Sequence, residues 1–186
     1  MKIFKNILFL AILVAVSGNY TAYAQKYVDK NGEIVFEASE KLFEEVKAET
    51  ETATAIFNAE TNQIASLALV KGFRFKNSLM QEHFNENYIE SDTYPKATFK
   101  GELVDFDSSK LTTTTIEAMV NGSLELHGKE KEVSTKLAVR KEGDSIYMTG
   151  EFKVTPDDFD IDIPSVVRNK IAKEVLIKIN FKLIQK

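Results

Sequence analysis

The sequence predicts an all-β domain built on an antiparallel sheet of about eight or nine strands. Three observations carry this. Apolar and polar residues alternate through most of the chain after residue 25, and turn-forming residues separate the alternating runs at short intervals. The 8 glycines and 3 prolines are too few for a disordered or collagen-like chain. Successive side chains of a strand point to opposite faces, so the pattern yields one dry face and one wet face. An antiparallel sheet of that kind must close on itself or pack on a second sheet.

The clearest run covers residues 112–126. Ile116, Ala118, Val120, Gly122, Leu124 and Leu126 share one parity, against Glu117, Asn121, Ser123, Glu125 and His127. Val133, Thr135, Leu137 and Val139 repeat it, as do Ile146, Met148, Gly150, Phe152 and Val154, and finally Val175, Ile177, Ile179, Phe181 and Leu183. Earlier in the chain, Ile34, Phe36 and Ala38 form one short dry row, and Ala97, Phe99, Gly101 and Leu103 another. Residues 46–57 switch parity midway, which predicts a bulge near Thr52. Residues 64–75 place Leu67, Leu69, Phe73 and Phe75 on one face, with Lys71 as the exception. Turn signals stand at Asn31-Gly32, residues 58–62, 105–109 and 128–131, and Glu142-Gly143-Asp144. Two short helices are expected. In the first, Ser78 is the N-cap and Gln81 completes a capping box, with Leu79, Met80, His83 and Phe84 on one face. The second spans residues 164–170, opened by Pro164.

The first 24 residues have the three parts of a secretory signal peptide. Lys2 and Lys5 precede ten consecutive apolar residues, 7–16, and Ala22-Tyr23-Ala24 is a small-x-small cleavage site. Ten apolar residues are too few to span a bilayer as a helix, which needs about 20; the alternative is an uncleaved anchoring helix. The expectation is a single mature domain of residues 25–186, secreted, and periplasmic in a Gram-negative cell.

Composition removes several function classes. Lys plus Arg is 24 and Asp plus Glu is 28, so no basic surplus exists to neutralise a nucleic-acid backbone. Without cysteine there is no disulfide framework, no thiolate nucleophile, no Cys-built metal site and no lipidated cysteine. Two histidines, His83 and His127, fall short of the three protein ligands usual in a catalytic zinc site. No nucleophile-elbow or phosphate-loop motif occurs. Asp158-Phe159-Asp160-Ile161-Asp162 opens like a calcium loop, but Ile163 stands at the sixth position and Asn169 at the twelfth. A solvated acidic edge with Phe159 and Ile161 packed inward fits better. No catalytic residue, metal or cofactor is expected. An enzyme working on a lipid-like substrate would need Arg74 or His83 turned into the interior.

Three motifs then resemble one family. Residues 79–88, Leu-Met-Gln-Glu-His-Phe-Asn-Glu-Asn-Tyr, followed by Tyr94-Pro95-Lys96-Ala97-Thr98-Phe99-Lys100-Gly101, are similar to the central signature of YceI-like proteins. Asn121-Gly122-Ser123-Leu124-Glu125-Leu126-His127-Gly128 resembles a second, hairpin signature, and residues 152–164 a third. The family pattern carries Trp where this chain offers Tyr27, and Gly where Asp160 stands. The resemblance implies a secreted, polyisoprenoid-binding protein with a closed, eight-stranded, lipocalin-like barrel. It implies a long-chain lipid or isoprenoid ligand, such as one with an isoprenoid-quinone-like tail, and no catalysis. A transient membrane contact and a homodimer complete the partner expectations.

The barrel interior is then the candidate site. The apolar lumen residues expected to touch a ligand are Phe36, Leu67, Leu69, Phe73 and Phe75 from the first half of the chain, with Leu79, Met80 and Phe84 from the helix. Phe99, Leu103, Ala118, Val120, Leu124, Leu137, Met148, Phe152, Ile177, Ile179 and Phe181 follow. An eight-stranded barrel can be filled by side chains or hold one ligand. The small inward residues Ala38, Ala48, Ala97, Gly101, Ala118, Gly122 and Gly150 either leave room or merely seat the aromatic rings. The helix either forms a lid over the ligand or simply caps the barrel. A buried methylene contributes about 0.8 kcal/mol, while association costs about 4–15 kcal/mol. A tail of about ten carbons barely exceeds that cost, so a longer one is favoured.

Overall fold

The computed structural model describes residues 25–40 and 42–186. The leader assigned to residues 1–24 lies outside the described residues. Nine strands form one sheet: β1 (Lys26–Ser39), β2 (Lys47–Asn58), β3 (Gln63–Leu69), β4 (Arg74–Phe75), β5 (Lys96–Val104), β6 (Ile116–Leu126), β7 (Lys129–Glu142), β8 (Ser145–Val154) and β9 (Ile171–Gln185). Every neighbour pair is antiparallel, and β1 bonds both β9 and β2, so the sheet closes. The two-residue β4 resumes the line of β3 along β2, with Phe75 opposite Ala48. The barrel therefore has eight wall positions. Closure gives every long strand a bonded neighbour on both sides and so removes most of the free sheet edge.

The expected bulge is present. The β1–β2 register shifts between Gly32/Ala53 and Ile34/Thr50. Buried Thr50 and Ala48 lie on one side of the shift and buried Ala53, Ala55 and Phe57 on the other. Thr50 Oγ1 accepts the Thr52 N–H at 3.3 Å across it. On the opposite strand, Asp29 sits buried in the matching irregularity. Its carboxylate accepts the backbone N–H of Asn31 at 2.9 Å and of Lys182 at 2.7 Å. A side chain thus replaces ladder bonds that the bulge removes.

Three readings of local structure are corrected. A single 3-10 turn, Val70–Gly72, interrupts β3 and β4. It resets the two-residue period, so Leu67 and Leu69 point to the opposite side from Phe73 and Phe75. Lys71, the exception in the pattern, lies in this turn. The helix α1 (Ser78–His83) is capped by Asn77 and not by Ser78: Asn77 Oδ1 accepts the N–H groups of Leu79 and Met80 at 3.0 and 3.3 Å. Gln81 Oε1 instead accepts the Phe75 N–H at 3.2 Å, joining the helix to β4. Residues 164–170 form hydrogen-bonded turns without a regular helix, with Val167 N and Arg168 N both donating to Pro164 O at 3.0 Å.

The two ends of the barrel differ. At the end holding the chain's β2–β3, β5–β6 and β7–β8 connections, side chains fill the interior. Tyr27, Phe57, Leu103, Ile146, Met148 and Leu183 are almost completely buried there. Close approach explains three glycines. A Cβ on Gly101 would lie 2.5 Å from Asn121 O and 2.8 Å from the Phe99 ring, and its strand partner Gly122 is equally crowded. A Cβ on Gly32 would meet the Phe181 ring at 2.5 Å.

At the other end the wall is less regular. Pairing of β7 with β8 stops at Leu137/Gly150, although both strands continue. Thr135 Oγ1 donates to Glu151 O across this seam at 2.7 Å. Beyond it, the turn at Pro156–Phe159 folds against β7 and buries Phe159.

Candidate ligand cavity

This second half of the barrel is hollow. The cavity has a volume of about 550 Å³ and opens to solvent at one end, within the size range of small-molecule sites. Its floor is made by side chains shared with the filled half: Ile64, Val120, Leu137 and Phe181. Its wall carries Phe36, Phe73, Phe75, Phe99, Leu124, Phe152, Ile177 and Ile179, and Leu79, Met80 and Phe84 border it from the helix segment. All of these except Ile64 stand among the expected lumen residues.

Five expected residues do not line the cavity. Leu67 and Leu69 lie on the outer parity of β3, and Leu69 is half exposed. Leu103, Ala118 and Met148 do point inward, but into the filled half, where neighbouring side chains leave no space. The small residues divide along the same line. Gly101, Gly122 and Gly150 seat Phe99 and Leu137, Ala118 belongs to the filled half, and Ala48 backs Phe36 and Phe75 in the wall of the hollow half. Ala38, Ala68 and Ala97 border the hollow.

The structure adds residues to those expected at the ligand. Ile34, Leu126, Val133, Val154 and Val175, all on the dry parity read from the sequence, line the cavity too, as does Val46 just before β2. Val70, Ile89, Phe159, Ile161 and Ile163 come from turns and loops, where no period exists to read. Phe159 and Ile161 are buried, as the reading of the acidic stretch expected.

Four phenylalanines hold the helix segment over the opening. Phe84 stacks on Phe36 with centroids 5.2 Å apart, and lies 5.1 Å from Phe75 and 6.4 Å from Phe73. After Phe84 the chain makes a wide π-type turn, closed by Ile89 N donating to Phe84 O at 3.0 Å. The helix therefore rests on aromatic contacts and on the Gln81 bond, with no wholly buried residue of its own.

His127 ties together the loops on this side. It stands at φ 51° in the β6–β7 turn, followed by Gly128 at φ 71°, the pairing of a tight type I′ hairpin. Its Nδ1 bonds Phe159 O at 2.9 Å and its Nε2 bonds Glu90 Oε2 at 3.0 Å, while Tyr94 packs edge-on with centroids 4.4 Å apart. Two ion pairs fasten the same region: Lys131 Nζ to Asp158 Oδ1 at 2.7 Å and Lys129 Nζ to Asp160 Oδ2 at 2.6 Å. Hydrogen bonding from Lys131 holds the Asp158 carboxyl below the usual carboxylate range, and Lys129 does the same to Asp160. Asp160 has φ 54°, a left-handed conformation that explains why a glycine suits this place in the family pattern.

Polar groups are sparse along the cavity. Thr135 is engaged with Glu151 O, and Ser66 borders the cavity from the inward parity of β3; the Thr98 hydroxyl lies on the outer face, bonded to Glu125. Arg74 does not border it; its guanidinium donates to Lys71 O and Phe73 O at 2.7 and 3.2 Å. His83 borders it from the helix, and Glu44, Asn77 and Lys170 lie near the opening. Among the described residues, no three His, Asp or Glu side chains gather in a metal-binding group.

Comparison with known proteins agrees with this architecture. A polyisoprenoid binding domain from Saccharophagus degradans, described as implicated in plant cell wall breakdown, superposes with a TM-score of 0.75 at 15% identity, covering 88% of this chain and 99% of that one. BcnA of Burkholderia cenocepacia superposes with a TM-score of 0.66 at 17% identity, covering 83% of this chain and 96% of that one. The YceI protein of Campylobacter jejuni reaches 0.57 at 14% identity, covering 77% and 86%. At these identities the likeness is one of fold. No curated protein sequence matches the chain. The YceI-like domain model matches residues 20–183. That match spans all but the last two residues of the barrel, cavity included, and the chain belongs to the YceI-like domain family.

Proposed function

We propose that the protein binds and carries one long-chain apolar ligand, an isoprenoid or similar lipid, in the hollow half of its barrel. The observation behind this reading is the 550 Å³ cavity, walled by aromatic and aliphatic side chains and open at one end. A folded chain does not retain apolar void of this size without cost, because the lining forfeits dispersion contacts. A hydrocarbon tail restores them and leaves water at the same time. The printed description of the Saccharophagus degradans relative as a polyisoprenoid binding domain points the same way. The leader sequence supports a periplasmic or otherwise secreted setting. The open end also carries exposed Leu42, Phe43, Leu79 and Val166, apolar groups suited to brief contact with a bilayer during loading.

Organic extraction of purified protein followed by mass spectrometry tests this directly. A long-chain lipid recovered in stoichiometric amount supports the carrier reading. Protein that is repeatedly empty, and that takes up no added isoprenoid, overturns it.

A further inference from the structure

We infer that the carried chain ends in an anionic group, received at the opening of the cavity by Lys170, with His83 as a second donor. This rests on the carrier reading and specifies the chemistry of its ligand.

The depth of the cavity offers little to a charge. Of the hydroxyls on its inward face, Thr135 is spent on Glu151 O, and Ser66 supplies one neutral group. An ion placed there would lose most of its hydration without replacement. A head group must therefore stay at the opening, where the bordering ionisable side chains include Glu44, His83 and Lys170. Glu44 is engaged: its Oε1 accepts from Asn77 Nδ2 at 3.2 Å.

The turns leading into β9 then sort two cations. Arg168 is used within the loop. Its Nε and Nη2 donate to Ile163 O at 3.1 and 2.9 Å, and Nη2 stands 3.5 Å from Asp162 Oδ1. Lys170 is fixed by its backbone, with its N–H donating to Val167 O at 2.8 Å, and the next residue, Ile171, pairs with Ser39 of β1. Its ammonium has no ion-pair partner among the described residues, although it borders the cavity. His83 faces the cavity from the helix laid over the opening. The barrel thus presents an uncommitted cation where an apolar chain would end. A neutral or cationic head gains nothing there; a phosphate or carboxylate does. A prenyl phosphate and a fatty acid share this chemistry.

The test titrates the full chain, after delipidation, with geranylgeranyl phosphate, geranylgeraniol and palmitate at low and high salt. Wild type is compared with Lys170→Gln and with Lys178→Gln, a change of an exposed lysine on β9, the strand that follows Lys170. The expected result is that geranylgeranyl phosphate binds about three- to tenfold more tightly than the alcohol, the scale of a solvent-exposed ion pair. High salt and Lys170→Gln remove that advantage, Lys178→Gln keeps it, and the alcohol is unaffected throughout. Palmitate binding with the same Lys170 dependence extends the site to carboxylates; its failure restricts the site to prenyl phosphates. Equal affinity for phosphate and alcohol in wild type, or an advantage that survives Lys170→Gln, overturns the anion site and leaves the carrier reading standing. Failure of all three probes to bind overturns both.

Discussion

The two halves of this barrel are built from the same strands yet solve opposite problems. In the filled half, Phe57, Tyr27, Met148 and Leu183 converge until no space remains, and glycines are placed where backbones and rings come closest. In the hollow half, alanines at 38, 68 and 97 stand back from the centre, and the phenylalanines lie against the wall and the helix. The filled half fixes the ring of strands; the hollow half is supported by it and left free to hold something else. A barrel can be both a packed core and a container when the two tasks are separated along its axis.

The largest expected contrast comes from deleting one aromatic ring in each half. Phe57→Ala empties a fully enclosed site and should cost about 3–5 kcal/mol in denaturant unfolding. Phe152→Ala enlarges a space that already exists and should cost well under half as much. Equal losses would break the division. Next, Asp29→Ala orphans the Asn31 and Lys182 backbone donors and should lower global stability by about 1–3 kcal/mol. His127→Ala should act locally, accelerating amide exchange at residues 85–95 and 156–161 while the filled half keeps its protection.

A further change sharpens the comparison without unfolding anything. Ala68→Phe places a ring in the hollow and should weaken isoprenoid uptake at least about tenfold, roughly 1.4 kcal/mol, with little change in melting temperature. The smallest effect concerns acid. The depressed carboxyls of Asp158 and Asp160 contribute stability above the ordinary carboxylate pKa, and this is lost as pH falls through their lower folded values. Protection factors of residues 156–161 should therefore hold at pH 5 and fall only in strongly acidic solution, and Lys131→Gln should shift that loss to higher pH.

Strands β6 to β9 were legible in the sequence because they are long and keep one period from end to end. The segment 64–75 was not, since three residues of 3-10 turn invert the period without leaving it; the misplaced Lys71 was the visible trace. Asn77 and Ser78 are both good N-cap residues, so composition could not choose between them. Parity did bring most of the cavity wall together. It could not say that Leu103, Ala118 and Met148 lie at the filled end, because which inward residues share a level depends on strand stagger. The family resemblance identified the hollow barrel, while the place of the hollow along the axis emerged only from the closed ring.

The seam between β7 and β8 has one more consequence. Its bonds are made by the Thr135 hydroxyl, two lysine–aspartate pairs and a folded-back turn, where elsewhere a backbone ladder would stand. Side-chain fastenings can loosen one at a time, whereas a ladder resists until it unzips. The wall thus has its sparsest backbone bonding at the hollow pole, and on the carrier reading that is where the circumference has most room to give.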